Sequence, residues 1–168
     1  MTGTTQRAAG LIVVGVNGAE ASLAAVRWAV QEASWYQARV HLVFAALRYP
    51  RASYAGAPEE PPGADDDADG TALLASAQRE AARALTADRV SSELAAGSPA
   101  KVLIGWSARA ELLVLGSAYP AGGAASRTSP VMGSVARACV NSAVCPVAVV
   151  TSPMVLPVGM TSGSWVWR

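Results

Sequence analysis

Residues 116–134 read GSAYPAGGAASRTSPVMGS, placing Gly116-Ser117, Gly122-Gly123 and Gly133-Ser134 along one stretch of chain. Glycine at such positions lets backbone amides close on a phosphate that a side chain would hold away. Ser117 and Ser134 add hydroxyl donors, and Arg127 adds a charge that can form charge-assisted bonds to phosphate oxygens. The same residues also suit a long turn. In that reading Ser129 caps a helix beginning at Pro130 and takes up one of the amides otherwise open to phosphate. A second short polar stretch, Val16-Asn17-Gly18, offers a carboxamide that either meets a ligand or caps a following helix.

Other chemistry-bearing residues are sparse. The sole lysine, Lys101, is not in a phosphate-loop pattern ending in Gly-Lys-(Ser/Thr). His41 is the only histidine and lies in an apolar run, which reads as a satisfied core residue. No serine has a base and an orienting group at a telling spacing, so no catalytic residue is assigned. The acidic run Asp65–Asp67 with Asp69 lacks the glycine and terminal glutamate of a calcium loop, and no metal site is assigned. Cys139 and Cys145, six apart, read as buried thiols rather than as a disulfide or a metal pair.

Positioning these residues requires a folded core. Of the 168 residues, 52% are hydrophobic and only 15% charged, which fits one globular domain. No apolar run reaches the roughly 18 residues of a membrane span. The start, MTGTTQRAAG, has no apolar signal core, so residues 1–9 read as a disordered lead and the cytoplasm as the expected location. The net charge is +1 with dispersed cations, which argues against a nucleic-acid partner.

LIVVGV at 11–16, VHLVFAA at 40–46, LLVLG at 112–116 and Val147–Val150 are short apolar runs suited to strands buried on both faces. RVSSEL at 89–94 alternates weakly and reads as an edge strand. Between them, a helix opens at Glu20 with Leu23, Val26, Val30 and Ala33 on one face. Another runs from about Thr71 to Thr86, capped by Asp69 or Thr71. A third starts at Ser98-Pro99, and a fourth covers Val131 to about Ser142. Residues 48–70, rich in proline, small and acidic residues, read as a mobile loop. The alternation predicts an α/β fold: one open, mostly parallel five-stranded sheet with helices on both faces. Ligands of such sheets sit beyond the carboxyl ends of the strands, where both GVNGAE and GSAYPAGG lie.

With IVVGVNGAEASLAAVRWAVQEA, GSPAKVLIGWSARAELLVLGS and MGSVARACVNSAVCPVAVV in ordered succession, the chain resembles the universal stress protein family over residues 10–151. The resemblance implies a Rossmann-like, adenine-nucleotide-hydrolase-like sheet in the order 3-2-1-4-5. It also implies a homodimer formed through the last strand, and in some members a bound ATP accompanied by Mg2+. ATP-binding members carry Gly-x2-Gly-x9-Gly-(Ser/Thr). Here Gly123 and Gly133-Ser134 keep the second half, but Tyr119 stands where a glycine counted from Gly116 would fall. Matching Gly116 and Gly123 to the first two glycines needs about four inserted residues, including Pro120. Asn17 stands where binding members carry aspartate.

Carried onto this chain, the resemblance puts adenine near Ala45, Val16 and Asn17. Gly116, Ser117, Gly123, Arg127, Gly133, Ser134 and Val135 then surround the rest of the nucleotide. Two functional readings follow. One is an ATP-responsive binding module in cytoplasmic stress adaptation. The other is a dimer without nucleotide, acting in protein interaction through its last strand and the apolar tail 152–168 with Trp165 and Trp167.

Overall fold

The β-branched run LIVVGV forms the middle of the sheet because neither of its faces tolerates water: Val13 and Val14, pointing to opposite sides, are both wholly buried. The structure, a computed structural model, describes residues 10–46, 64–117 and 132–151. In chain order its elements are β1 (Leu11–Val16), α1 (Glu20–Tyr36), β2 (Arg39–Ala46) and α2 (Ala64–Ala81). A 3-10 turn (Ala87–Arg89) leads into β3 (Val90–Ala96), followed by α3 (Pro99–Ser107), β4 (Leu112–Ser117), α4 (Ser134–Ser142) and β5 (Val147–Thr151). All neighbouring strands pair in parallel, in the order β3-β2-β1-β4-β5. β1 and β4 are therefore neighbours, and the direction of strand progression reverses between them.

Each face of the sheet builds its own core. On one, Ile12, Val14 and Val16 meet Val26, Val30 and the alanines of α1, together with Leu74 and Ala77 of α2. On the other, Val13, Val43, Leu113 and Leu115 meet Leu103 of α3 and Ala136 and Cys139 of α4. The buried stripe of α1 is Ala21, Ser22, Ala25, Val26, Ala29, Val30 and Ala33. Leu23, expected on that face, is only half-buried. The small residues let α1 lie close on the sheet, where a Cβ at Gly116 would overlap the carbonyl of Ala21. Arg27 of α1 bonds Glu80 in α2 at 2.8 Å, tying the two helices on that face.

The strands match expectation to within about two residues at each end; the helices depart more. α2 begins at Ala64, so residues 64–70 are helix rather than loop, and Asp69 and Thr71 lie inside it rather than capping it. Gly70 is buried in this helix because Phe44 and Leu94 occupy the space a Cβ would take. α2 ends at Ala81, short of the expected Thr86. Ser98 holds the N-cap position of α3, but its hydroxyl caps nothing. α4 begins at Ser134, with Met132 and Gly133 non-helical, so neither a start at Val131 nor one at Pro130 holds. No described helix is long and apolar enough to cross a membrane.

Candidate functional site

A cleft of about 230 Å³ opens at the carboxyl ends of β1, β2 and β4. The strand ends supply Gly15, Val16, Val43, Phe44, Ala45, Leu115 and Gly116; the turn after β1 supplies Asn17; and Pro99, Leu103, Val135 and Ala136 close it from α3 and α4. None of these lining residues is charged. The cleft is a small, mostly apolar slot with polar edges, the form suited to a flat uncharged ring system.

Of the residues singled out from the sequence, Val16, Asn17, Ala45, Gly116 and Val135 line this cleft together. Ser117 is buried at the end of β4 and does not line it. Gly133 and Ser134 are exposed at the start of α4, immediately before the lining residues Val135 and Ala136. Gly123 and Arg127 lie outside the described residues, as do Tyr119, the Ser129-Pro130 pair, residues 48–63 and the tail 152–168. Reasoning along the chain did not pick out Gly15, Val43, Phe44, Pro99, Leu103, Leu115 and Ala136. Their signal was only that of core residues, since facing a cleft depends on how the helices cover the sheet.

The glycines of the site differ in what requires them. Gly116 is required by packing against the backbone at Ala21 and Ser22. Gly18 is required by backbone conformation, with φ at +77° in the turn between β1 and α1. At Gly15 a Cβ would press on Leu115 and Leu103. Gly133 has no such demand: its φ is −58°, and no described atom lies within 4 Å of where a Cβ would stand.

Asn17 has a structural task. Its Oδ1 accepts the Ala19 amide at 3.1 Å, and its own amide donates to Ser22 Oγ at 3.2 Å, which closes the turn into α1. The start of α4 is built differently. Gly133 is the N-cap, no side chain among the described residues caps the helix, and the Gly133 carbonyl receives the Arg137 amide at 3.0 Å. The amides of Ser134, Val135 and Ala136 are the ones an α-helix cannot satisfy internally.

The family model described as "Universal stress protein family" matches residues 10–151. The chain belongs to the universal stress protein family. A universal stress protein of Mycobacterium tuberculosis strain H37Rv is 34% identical over 148 residues, covering 84% of this chain and 48% of its own length. This family member thus spans about half the length of the curated relatives it matches. Among solved structures, a universal stress protein in complex with cAMP superposes with a TM-score of 0.58 at 23% identity, covering 84% of this chain and 95% of the other. The universal stress protein of Archaeoglobus fulgidus in complex with dAMP superposes with a TM-score of 0.61 at 17% identity, covering 84% and 97%. At these identities the structural likeness speaks for the fold, which is the Rossmann-like arrangement of the family.

The remaining reactive groups are few. Cys139 and Cys145 are free thiols, and burial pushes both up from their ordinary range. Among the described residues no group of three His, Cys, Asp or Glu side chains is placed to hold a metal ion. His41 is buried, as expected of a core residue, yet it is not fully satisfied. Its Nδ1 is 2.8 Å from Ser91 Oγ, while Nε2 has no hydrogen-bond partner among the described residues.

Proposed function

We propose that this member of the family is a nucleotide-binding module that takes an adenine nucleotide in the cleft between β1 and β4. The base lies against Val16, Asn17 and Ala45, and the phosphates meet the first-turn amides of Ser134, Val135 and Ala136 at the start of α4. Ser134 adds its hydroxyl. Gly123 and Arg127 are assigned to the phosphates by the sequence pattern alone. ATP with Mg2+ is the proposed physiological ligand, and the bound state is the form read by partners in stress adaptation. Relatives of the same fold hold cAMP and dAMP, which supports an adenine ring in such a cleft.

The observation that carries this reading is Gly133. It is a glycine that neither backbone conformation nor described packing requires, at a helix start that no described side chain caps, beside the cleft. Close approach of an anion to the helix amides gives that glycine a reason. Calorimetric titration of nucleotide-free protein with AMP, ATP and ATP–Mg2+ tests it, with Gly133→Asp as the comparison. Saturable binding that the aspartate abolishes supports the reading, and no heat with any of the three at millimolar concentration sinks it.

A second reading, self-association through β5, has its own support. β5 is an edge strand whose Val147, Ala148, Val149 and Val150 are only half-buried. Val140 and Val144 beside it are 47% and 76% exposed. Pairing of this edge with a second copy would cover all six residues. Light scattering on the wild type and Val144→Lys tests it: a dimer that the lysine weakens is the expected result, and a monomer at all concentrations ends the proposal.

A further inference from the structure

We propose that Ser91, His41 and Glu93 form a nucleophile, base and orienting group, and that the Ser91 hydroxyl accepts acyl groups from small activated carboxylic esters. The strand register brings them together. His41 on β2 stands opposite Ser91 on β3, and Val43 stands opposite Glu93, so the three side chains share one face of the sheet. Ser91 Oγ and His41 Nδ1 are 2.8 Å apart, and Glu93 Oε2 lies 3.5 Å from His41 Nε2. This is the sequence of contacts that nucleophilic catalysis requires: a hydroxyl on one ring nitrogen and a carboxylate facing the other.

The surroundings select the working form of the histidine. Trp106 of α3 lies against the imidazole, with ring centroids 4.2 Å apart, and fixes its plane. The ring is buried, whereas Ser91 is exposed and the Glu93 side chain is 44% exposed. Burial pulls the His41 pKa below its ordinary value, with the Glu93 carboxylate opposing that shift, so the ring is neutral at neutral pH. With its one proton on Nε2, facing Glu93, the ring turns its Nδ1 lone pair toward the Ser91 O–H.

The step then balances. Ser91 Oγ bonds to the ester carbonyl carbon as its proton passes to Nδ1. Collapse of the tetrahedral species breaks the bond to the leaving alkoxide or phenoxide, which takes the proton from His41. Water reverses the sequence and releases the carboxylic acid. Among the described strands β3 is the sheet's edge and pairs with β2, so alternate amides of this strand face away from the sheet. Outward-facing amides are the kind of donor a developing oxyanion needs. This cluster lies further toward the amino end of β2 than the cleft lining Val43, Phe44 and Ala45 and does not depend on nucleotide binding.

The test uses the full chain and a fluorophosphonate probe, in which the serine oxygen displaces fluoride from phosphorus and the proton leaves through the histidine. Intact mass and peptide mapping read the adduct. Labelling of Ser91, absent in Ser91→Ala and slowed by about 100-fold in His41→Gln, is the expected result. Ser92, the next residue on the strand but facing the opposite side of the sheet, is the internal comparison and stays unlabelled. Glu93→Gln, a change at a half-exposed side chain, slows labelling without touching the core and serves should His41→Gln fail to fold. An unlabelled wild type, an adduct that survives Ser91→Ala, or a rate at Ser91 unaffected by both Glu93→Gln and His41→Gln overturns the proposal.

Discussion

The Cα of Gly116 at the end of β4 faces the carbonyl of Ala21 in the first turn of α1 so closely that a methyl group between them would overlap it. The helix thus rests directly on the strand backbone at the mouth of the cleft. Gly116→Ala should lower stability by about 1–3 kcal/mol, because backbone cannot move aside as a flexible side chain can. Urea unfolding of the variant checks this, and an unchanged midpoint would refute it.

Gly133 is the opposite case. Gly133→Ala should leave stability within about 0.5 kcal/mol of the wild type, since the position is exposed and its φ suits any residue. If the nucleotide reading is right, the same variant weakens nucleotide binding. Measuring both on one preparation separates a folding defect from a binding defect.

Arg89 reaches across from the turn before β3 to bond the carbonyls of Ala33 and Ala38, at 2.5 Å from Nη2 to Ala33 and 2.7 Å from Nη2 to Ala38. α1 has no basic residue in its own last turn, so this guanidinium supplies the positive charge that a helix C-terminus favours. Arg89→Met should cost about 2 kcal/mol in thermal or urea unfolding, because it removes charged hydrogen bonds to two part-buried carbonyls.

His41 makes stability depend on pH. Its folded pKa is lowered, chiefly by burial, so below the ordinary value of 6.5 the unfolded chain binds a proton that the folded chain resists. Its stabilising contribution is complete above 6.5 and is lost as pH falls from there through the folded pKa. Comparing wild type with His41→Gln in urea from about pH 8 to about pH 5 isolates this contribution from that of the carboxylates. The stability difference between the two should shrink toward the acid end, and a constant difference would contradict the assignment.

The sheet was legible in the chain because its strands are short apolar runs with little competing interpretation. Their order came from the family resemblance, and the pairing bears it out. The start of α2 was not legible: Gly70 and the aspartates before it have loop chemistry, and the need for a glycine at 70 lies in the packing of Phe44 and Leu94, distant in sequence. Five of the twelve lining residues were visible, Val16, Asn17, Ala45, Gly116 and Val135, although Gly116 turned out to answer a packing need and Asn17 to close a turn. The Ser91–His41 contact was beyond reach. Fifty positions separate the two residues, and only the register between β2 and β3 sets them opposite each other.

The contrast between Gly116 and Gly133 has an evolutionary consequence. One glycine is tied to the architecture and the other meets no described neighbour, so a lineage can change codon 133 while still producing a folded protein. Loss or recovery of a ligand at the start of α4 therefore needs no passage through an unstable intermediate. Selection can act on what the molecule binds separately from whether it folds.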